Sequence, residues 1–120
     1  VAAPADQLLF AYGALQHPDV QLDTFGRLVE TDDDVLPGYA LLYIEAEDTR
    51  TANPSGTTVL PVLRRTDGPR DKVVGIVLSL TADELDAADE YQMSLYRRTP
   101  VTLASGRAAW VYVGRPGRTG

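Results

Sequence analysis

Two short stretches of this chain carry residue types whose spacing could do chemistry. The first is Tyr12-Gly13-Ala14-Leu15, where the apolar run Leu8 to Tyr12 stops at a glycine. Glycine there lets the backbone turn tightly and leaves main-chain N–H groups free to face an anion. An ordinary strand-to-loop turn has the same spelling. The second stretch is Ala88-Asp89-Glu90-Tyr91-Gln92, followed by Tyr96-Arg97-Arg98. On a helix advancing about 100° per residue, Leu85, Ala88 and Gln92 share the face turned to a core. Glu90 lies nearly opposite, toward solvent, and Asp89 flanks the buried stripe. A carboxylate at position 92 would be aimed inward and could be tuned into a base by burial. The Gln92 amide hydrogen-bonds but takes no proton at any working pH. An amide bonding local backbone at a helix end is the plain structural alternative.

Other chemistries are thinly represented. Arg97 and Arg98 could clamp a carboxylate bidentately, but on alternating strand positions only one of them faces inward. His17, the single histidine, precedes Pro18 and has no Gly-x-Ser-x-Gly elbow to serve. With one His and no Cys, zinc and most transition-metal designs are excluded, as are disulfides and cysteine nucleophiles. A net charge of -6 argues against a nucleic-acid partner, which needs a basic stripe. The acidic run Glu30, Asp32, Asp33, Asp34 before Pro37-Gly38 reads as a solvated loop. No basic region followed by an apolar one opens the chain, and no run reaches membrane-spanning length, so a cytoplasmic protein is the expectation. The arginine bias, with Lys72 the only lysine, associates the chain with a GC-rich bacterial source.

The elements that must position these residues are legible as a coarse pattern. Leu8 to Tyr12 reads as a buried strand and Pro18 to Val29 as a helix or helical turn. Tyr39 to Glu45 reads as a strand buried on both faces at its centre, and Glu47 to Thr58 as a loop bordering a site. Pro61 demotes Val59 to Leu63 to an edge or a bulge. Val73 to Leu80 is the strongest strand, with Gly75 signalling a bulge or a close backbone approach. Thr81 and Glu84 spell a capping box, with Leu80 and Leu85 as its staple, opening a helix that ends near Gln92 or Met93. Tyr96 to Leu103 and Arg107 to Val113 form a hairpin across Ala104-Ser105-Gly106. In 120 residues this is one α+β domain.

Taken in order, Leu9-Phe10-Ala11-Tyr12-Gly13-Ala14-Leu15-Gln16, Leu36-Pro37-Gly38-Tyr39, the Gly75 strand, Ala88 to Gln92, Tyr96-Arg97-Arg98 and Ser105-Gly106-Arg107-Ala108-Ala109-Trp110-Val111-Tyr112-Val113 resemble the γ-glutamylcyclotransferase-like family. The resemblance implies a small twisted mixed β-barrel with one or two flanking helices. It places that domain at residues 8–113, between an N-terminal extension (1–7) and a flexible tail (114–120). It also implies that Tyr12, Gly13, Ala14 and Leu15 cradle a γ-glutamyl group, with Tyr96 and Arg98 beside it. In the family a Glu following an aromatic residue near the helix end is the base. It frees the α-amine to attack the γ-carbonyl, releasing 5-oxoproline and an amine. Here Tyr91-Gln92 matches that pattern with the acid replaced, and Glu90 is the less favoured alternative base. Ala14 stands where the family usually has Ser or Thr. The resemblance calls for no cofactor and no metal, and for a small-molecule γ-glutamyl substrate as partner. It leaves open a transferase or lyase-type cyclisation, an impaired ligand-binding module, another reaction in the same pocket, or a Gln92 introduced to trap substrate. Oligomeric state is not implied.

Overall fold

The computed structural model describes residues 4–46, 58–92 and 96–114. The chain runs β1 (Gln7–Ala11), a 3-10 turn (Ala14–Gln16), α1 (Pro18–Phe25), β2 (Thr31–Pro37), β3 (Tyr39–Ala46), β4 (Thr58–Arg65), β5 (Lys72–Leu80), α2 (Ala82–Gln92), β6 (Tyr96–Thr102) and β7 (Ala108–Gly114). β2, β5, β1, β7 and β6 make one five-stranded sheet in that order, and β3 with β4 makes a separate two-stranded ribbon. β1 and β7 are parallel, with Leu9 beside Trp110 and Phe10 beside Val111. The other pairings are antiparallel.

Side-chain alternation on β1 divides the core in two. Leu9 and Ala11 point to the helix side, where Leu78, Leu80, Leu85 and Ala88 pack with them. Phe10 points to the other side, among Leu36, Leu63, Val77 and Val111. The sheet is therefore the middle layer, with helices on one face and the ribbon on the other. Gly75 on β5 serves this packing. A Cβ there would lie 2.4 Å from the Ala11 carbonyl oxygen and 2.8 Å from Phe10 Cζ, so the aromatic ring and β1 occupy its space. The close approach expected at Gly75 is thus present.

The expected barrel does not form. The fold is α+β with a twisted mixed sheet, but the sheet's outer strands, β2 and β6, are not laddered to each other. What reaches β2 is the tip of the β6–β7 hairpin, through one main-chain bond from Ala104 N to the Val35 carbonyl (2.8 Å). Closure needs continuous pairing along both edges, whereas Pro100 on β6 has no N–H to give.

The same hairpin tip explains a second correction. Asp32 to Asp34 is not a solvated loop but part of edge strand β2, paired with β5 over Thr31–Pro37. Asp34 is buried there because Ser105 Oγ (2.6 Å) and Arg107 Nη2 (2.9 Å) donate to its Oδ2. Chiefly the Ser105 bond, then the Val35 N–H and Arg107, hold its carboxyl below the usual range against the opposing effect of burial. A third correction concerns β3: its centre is not buried on both faces, since Tyr43 is 68% exposed. Among the described residues no layer lies outside the ribbon.

Local signals elsewhere are realised. Glu84 N donates to Thr81 Oγ1 (3.1 Å) and Thr81 N to Glu84 Oε1 (2.9 Å), completing the capping box. Glu84 also takes two bonds from Arg27, from Nε (2.7 Å) and Nη2 (2.8 Å), tying the end of α1 to the start of α2. The hairpin turns at Gly106, whose φ is 90°. Among the described residues no helix is long and apolar enough to cross a membrane. Residues 47–57, Met93 and residues 115–120, on which the bordering loop, part of a helix end and most of the tail were expected, lie outside the described residues.

Candidate functional site

The glycine loop leaves β1 and enters the 3-10 turn at once. Its bonds run from Gln16 N to the Gly13 carbonyl (3.1 Å) and from His17 N to the Ala14 carbonyl (3.0 Å). The Ala14 and Leu15 N–H groups precede the first donor, Gln16 N, and have no acceptor inside the turn. Leu15 is buried in the helix-side core. Its carbonyl is held by Gln21 Nε2 (3.0 Å), while Gln21 Oε1 accepts from Val29 N (3.3 Å). Gln21, only 4% exposed, is thus satisfied at both ends of its amide and pins the turn to α1. Sequence reasoning did not single out Gln21, because its partners lie in the turn before α1 and in the connection after it.

Opposite the loop stands β4. A Cβ on Gly13 would lie 3.3 Å from Pro61 Cγ, so the ribbon crowds this position and leaves little room for a side chain. Tyr96 Oη donates to the Pro61 carbonyl (2.7 Å), bracing the same rung from β6. Pro61 was read as an edge-strand marker, and nothing in the sequence signals that it faces Gly13.

On α2, Leu85, Ala88 and Gln92 are the buried residues, as the helical phase requires. Gln92 is 7% exposed and Glu90 faces solvent. Ala88, Leu85, Leu15, Ala11 and Tyr96 belong to one packed cluster, so the core face of α2 and the turn after β1 share a wall. Asp89, on the flank, receives a hydrogen bond from Tyr112 Oη at Oδ1 (2.7 Å). Arg98 Nη1 lies 3.1 Å from its Oδ2. That nitrogen is sealed from solvent without a hydrogen bond, so the contact with Asp89 is Coulombic. The Arg98 guanidinium also stacks over Trp110, 4.5 Å from the ring centroid. Burial first, then Asp89, pushes the Tyr112 phenol well above its ordinary value.

The predicted site residues therefore fall into two groups. Tyr12, Gly13, Ala14 and Leu15 form the loop, and Gln92 is buried at the end of the helix that shares its core. Tyr12 Oη donates to the Tyr112 carbonyl, Tyr96 to Pro61, and Arg98 is engaged by Asp89 and Trp110. These three act as braces around the loop and the helix end. Of the arginine pair, Arg98 is the one turned inward and Arg97 is exposed. Glu90 is on the solvent side and does not join either group. Among the described residues no group of three or more His, Asp or Glu gathers to hold a metal ion.

The model of the gamma-glutamyl cyclotransferase, AIG2-like family matches residues 9–119. The chain belongs to this family. Comparison with curated proteins gives no match. Among solved structures, the chain is similar to an Arabidopsis thaliana protein solved in solution, with TM-score 0.70 and 22% identity over 95% of this chain and 74% of that one. A structure titled gamma-glutamyl cyclotransferase gives TM-score 0.65 and 18% identity over 91% and 66%. A yeast gamma-glutamyl cyclotransferase described as specific to glutathione gives TM-score 0.68 and 13% identity over 90% and 68%. At these identities the solved structures speak to the fold alone. Membership of the gamma-glutamyl cyclotransferase family rests on the match along the sequence.

Proposed function

We propose that this chain binds a small γ-glutamyl amine between the Gly13 loop and the end of α2, and cyclises it slowly to 5-oxoproline without a carboxylate base. The observation that carries this reading is the pairing of a buried Gln92 with an outward Glu90 on the same helix. The position that the family gives to its base is directed to the interior, and here an amide fills it. In the proposed arrangement the Ala14 and Leu15 N–H groups hold the γ-glutamyl group, and the Gln92 carbonyl oxygen accepts from the α-ammonium. Attack by the neutral α-amine on the γ-carbonyl forms the ring C–N bond. The bond to the departing amine then breaks, with the α-amine's proton passing to that leaving group.

An ammonium has no lone pair, so the fraction already deprotonated sets the rate. For a pKa of about 8 that fraction is roughly a tenth at pH 7. Loss of a positioned base typically lowers the rate by a factor of about 10² to 10⁴. The same amide favours a second reading, a module that retains the pocket and binds without turnover, since the Gln92 carbonyl oxygen can accept from an ammonium but cannot take its proton.

The test is 5-oxoproline release from a panel of γ-glutamyl compounds, glutathione among them, by the native chain, Gln92→Glu and Glu90→Gln. Gain with Gln92→Glu and indifference to Glu90→Gln support the proposal. No gain with Gln92→Glu together with loss in Glu90→Gln would assign the base to Glu90 instead. Silence from all three proteins with ligand binding retained would favour the binding module.

A further inference from the structure

The ribbon meets the rest of the fold at two different rungs. Its rung Tyr43–Pro61 faces the Gly13 loop, while the rung Tyr39–Arg65 lies four residues further along. At about 3.3 Å per residue the two are roughly 13 Å apart. At the second rung the fold leaves an open cleft of about 420 Å³, walled by Pro37, Tyr39, Pro100 and Val101, with Arg65 and Asp67 at its mouth. That volume lies within the roughly 300–1,000 Å³ usual for small-molecule sites, and the lining is about as polar as it is apolar. None of these residues belongs to the reaction proposed above.

The mouth is built. Asp67 holds a left-handed backbone, φ 55°, because its N–H and that of Thr66 both donate to the Gly38 carbonyl (3.0 and 2.9 Å). In that conformation Asp67 Oδ1 accepts from Arg65 Nε at 2.8 Å. The bond fixes the guanidinium by one edge, and with the side chain 71% exposed its Nη groups remain open to a ligand. The segments flanking the cleft are rich in charge, and of their basic residues Arg65 alone lines it. Arg64, Arg65, Arg70 and Lys72 are four of the eleven basic residues of a chain with net charge -6. All four are exposed, with Asp67 and Asp71 between them, and Lys72 pairs with Pro37 of the cleft wall.

We propose that this cleft is a second ligand site, taking a small organic acid with a flat apolar body. The body lies against Pro37, Tyr39 and Pro100, and the carboxylate meets the Nη groups of Arg65.

Phenylacetate titrated into the ¹⁵N-labelled full chain tests this, with 2-phenylethanol as the uncharged counterpart. Saturable amide shifts are expected at Tyr39, Val101, Thr102 and Ala108, with Tyr12 to Leu15 undisturbed. Arg65→Gln, an exposed and conservative change, is expected to weaken phenylacetate roughly five- to tenfold and to leave 2-phenylethanol unaffected. Shifts centred on the Gly13 loop, equal affinity of native and Arg65→Gln proteins, or no saturable shift would each overturn the proposal.

Discussion

Tyr112 holds Asp89 by its phenol, Oη to Oδ1 at 2.7 Å, while its own carbonyl accepts the Tyr12 hydroxyl. One residue of β7 thus grips both the flank of α2 and the tyrosine that introduces the glycine loop. Tyr112→Phe removes only the first grip and keeps the ring in the core. With Asp89 partly exposed, the loss is expected to be about 1–2 kcal/mol of unfolding free energy, measurable by urea denaturation. An unchanged midpoint would show that the bond braces nothing.

The same phenol makes an alkaline prediction. Its value is raised by burial and by Asp89, so the folded state keeps the proton longer than the unfolded state, whose phenol titrates near 10. The contribution is therefore full below pH 10 and declines as pH rises above it. Unfolding measured at pH 9 and pH 11 should show a smaller decline in Tyr112→Phe than in the native chain.

On the acid side the direction reverses. The Arg27 bonds and the Thr81 N–H hold Glu84 below the usual carboxylate range, and Ser105, Val35 N–H and Arg107 do so for Asp34. Both contribute stability above the unfolded values near 4 to 4.5 and lose it as pH falls through their folded values. Glu84→Gln should lower stability at pH 7 and flatten the decline between pH 5 and pH 3. An equal acid slope in native and variant proteins would assign the acid sensitivity to other groups.

Gly75→Ala tests the packing of β5 against β1. The added methyl would sit 2.4 Å from a main-chain oxygen, which cannot swing aside as a side chain can. A loss of about 3 kcal/mol or more is expected, toward the upper end for overpacked cores. Thermal unfolding or loss of soluble expression would register it.

Gln92→Glu carries a stability signature separate from its effect on rate. A carboxyl at a 7% exposed position, at the C-terminal end of a helix dipole, is raised above its unfolded value by both environments. The variant should be more stable at pH 5 than at pH 8, the opposite trend to Glu84. Equal stability at the two pH values would mean that position 92 gives a carboxylate access to water or to a cation.

What was legible in the sequence is what acts over one helical turn or one strand alternation. The phase of α2 placed Gln92 inward and Glu90 outward, and the Thr81–Glu84 capping box marked where that helix begins. β2 was missed because three consecutive aspartates look like a loop. The partners that make Asp34 tolerable in a strand, Ser105 and Arg107, stand some seventy residues later. The crowding of Gly13 by Pro61 and the Tyr96 bond to that same proline are equally non-local. The barrel came from the family resemblance and not from the strand pattern, which stops at α+β. Alternation counts strands and orients their faces, but whether the last edge meets the first depends on where a hairpin tip comes to rest.

The separate ribbon has a consequence for the spacing between Gly13 and Pro61. No ladder joins β3 or β4 to the main sheet among the described residues, so their spacing from it is set by side-chain girth and by the tether from Tyr96 to Pro61. Such a wall can be re-spaced by trading side-chain volumes at Leu41, Leu63 or Val62, with every main-chain pairing left in place. The five-stranded sheet acts as the anvil and the ribbon as an adjustable jaw.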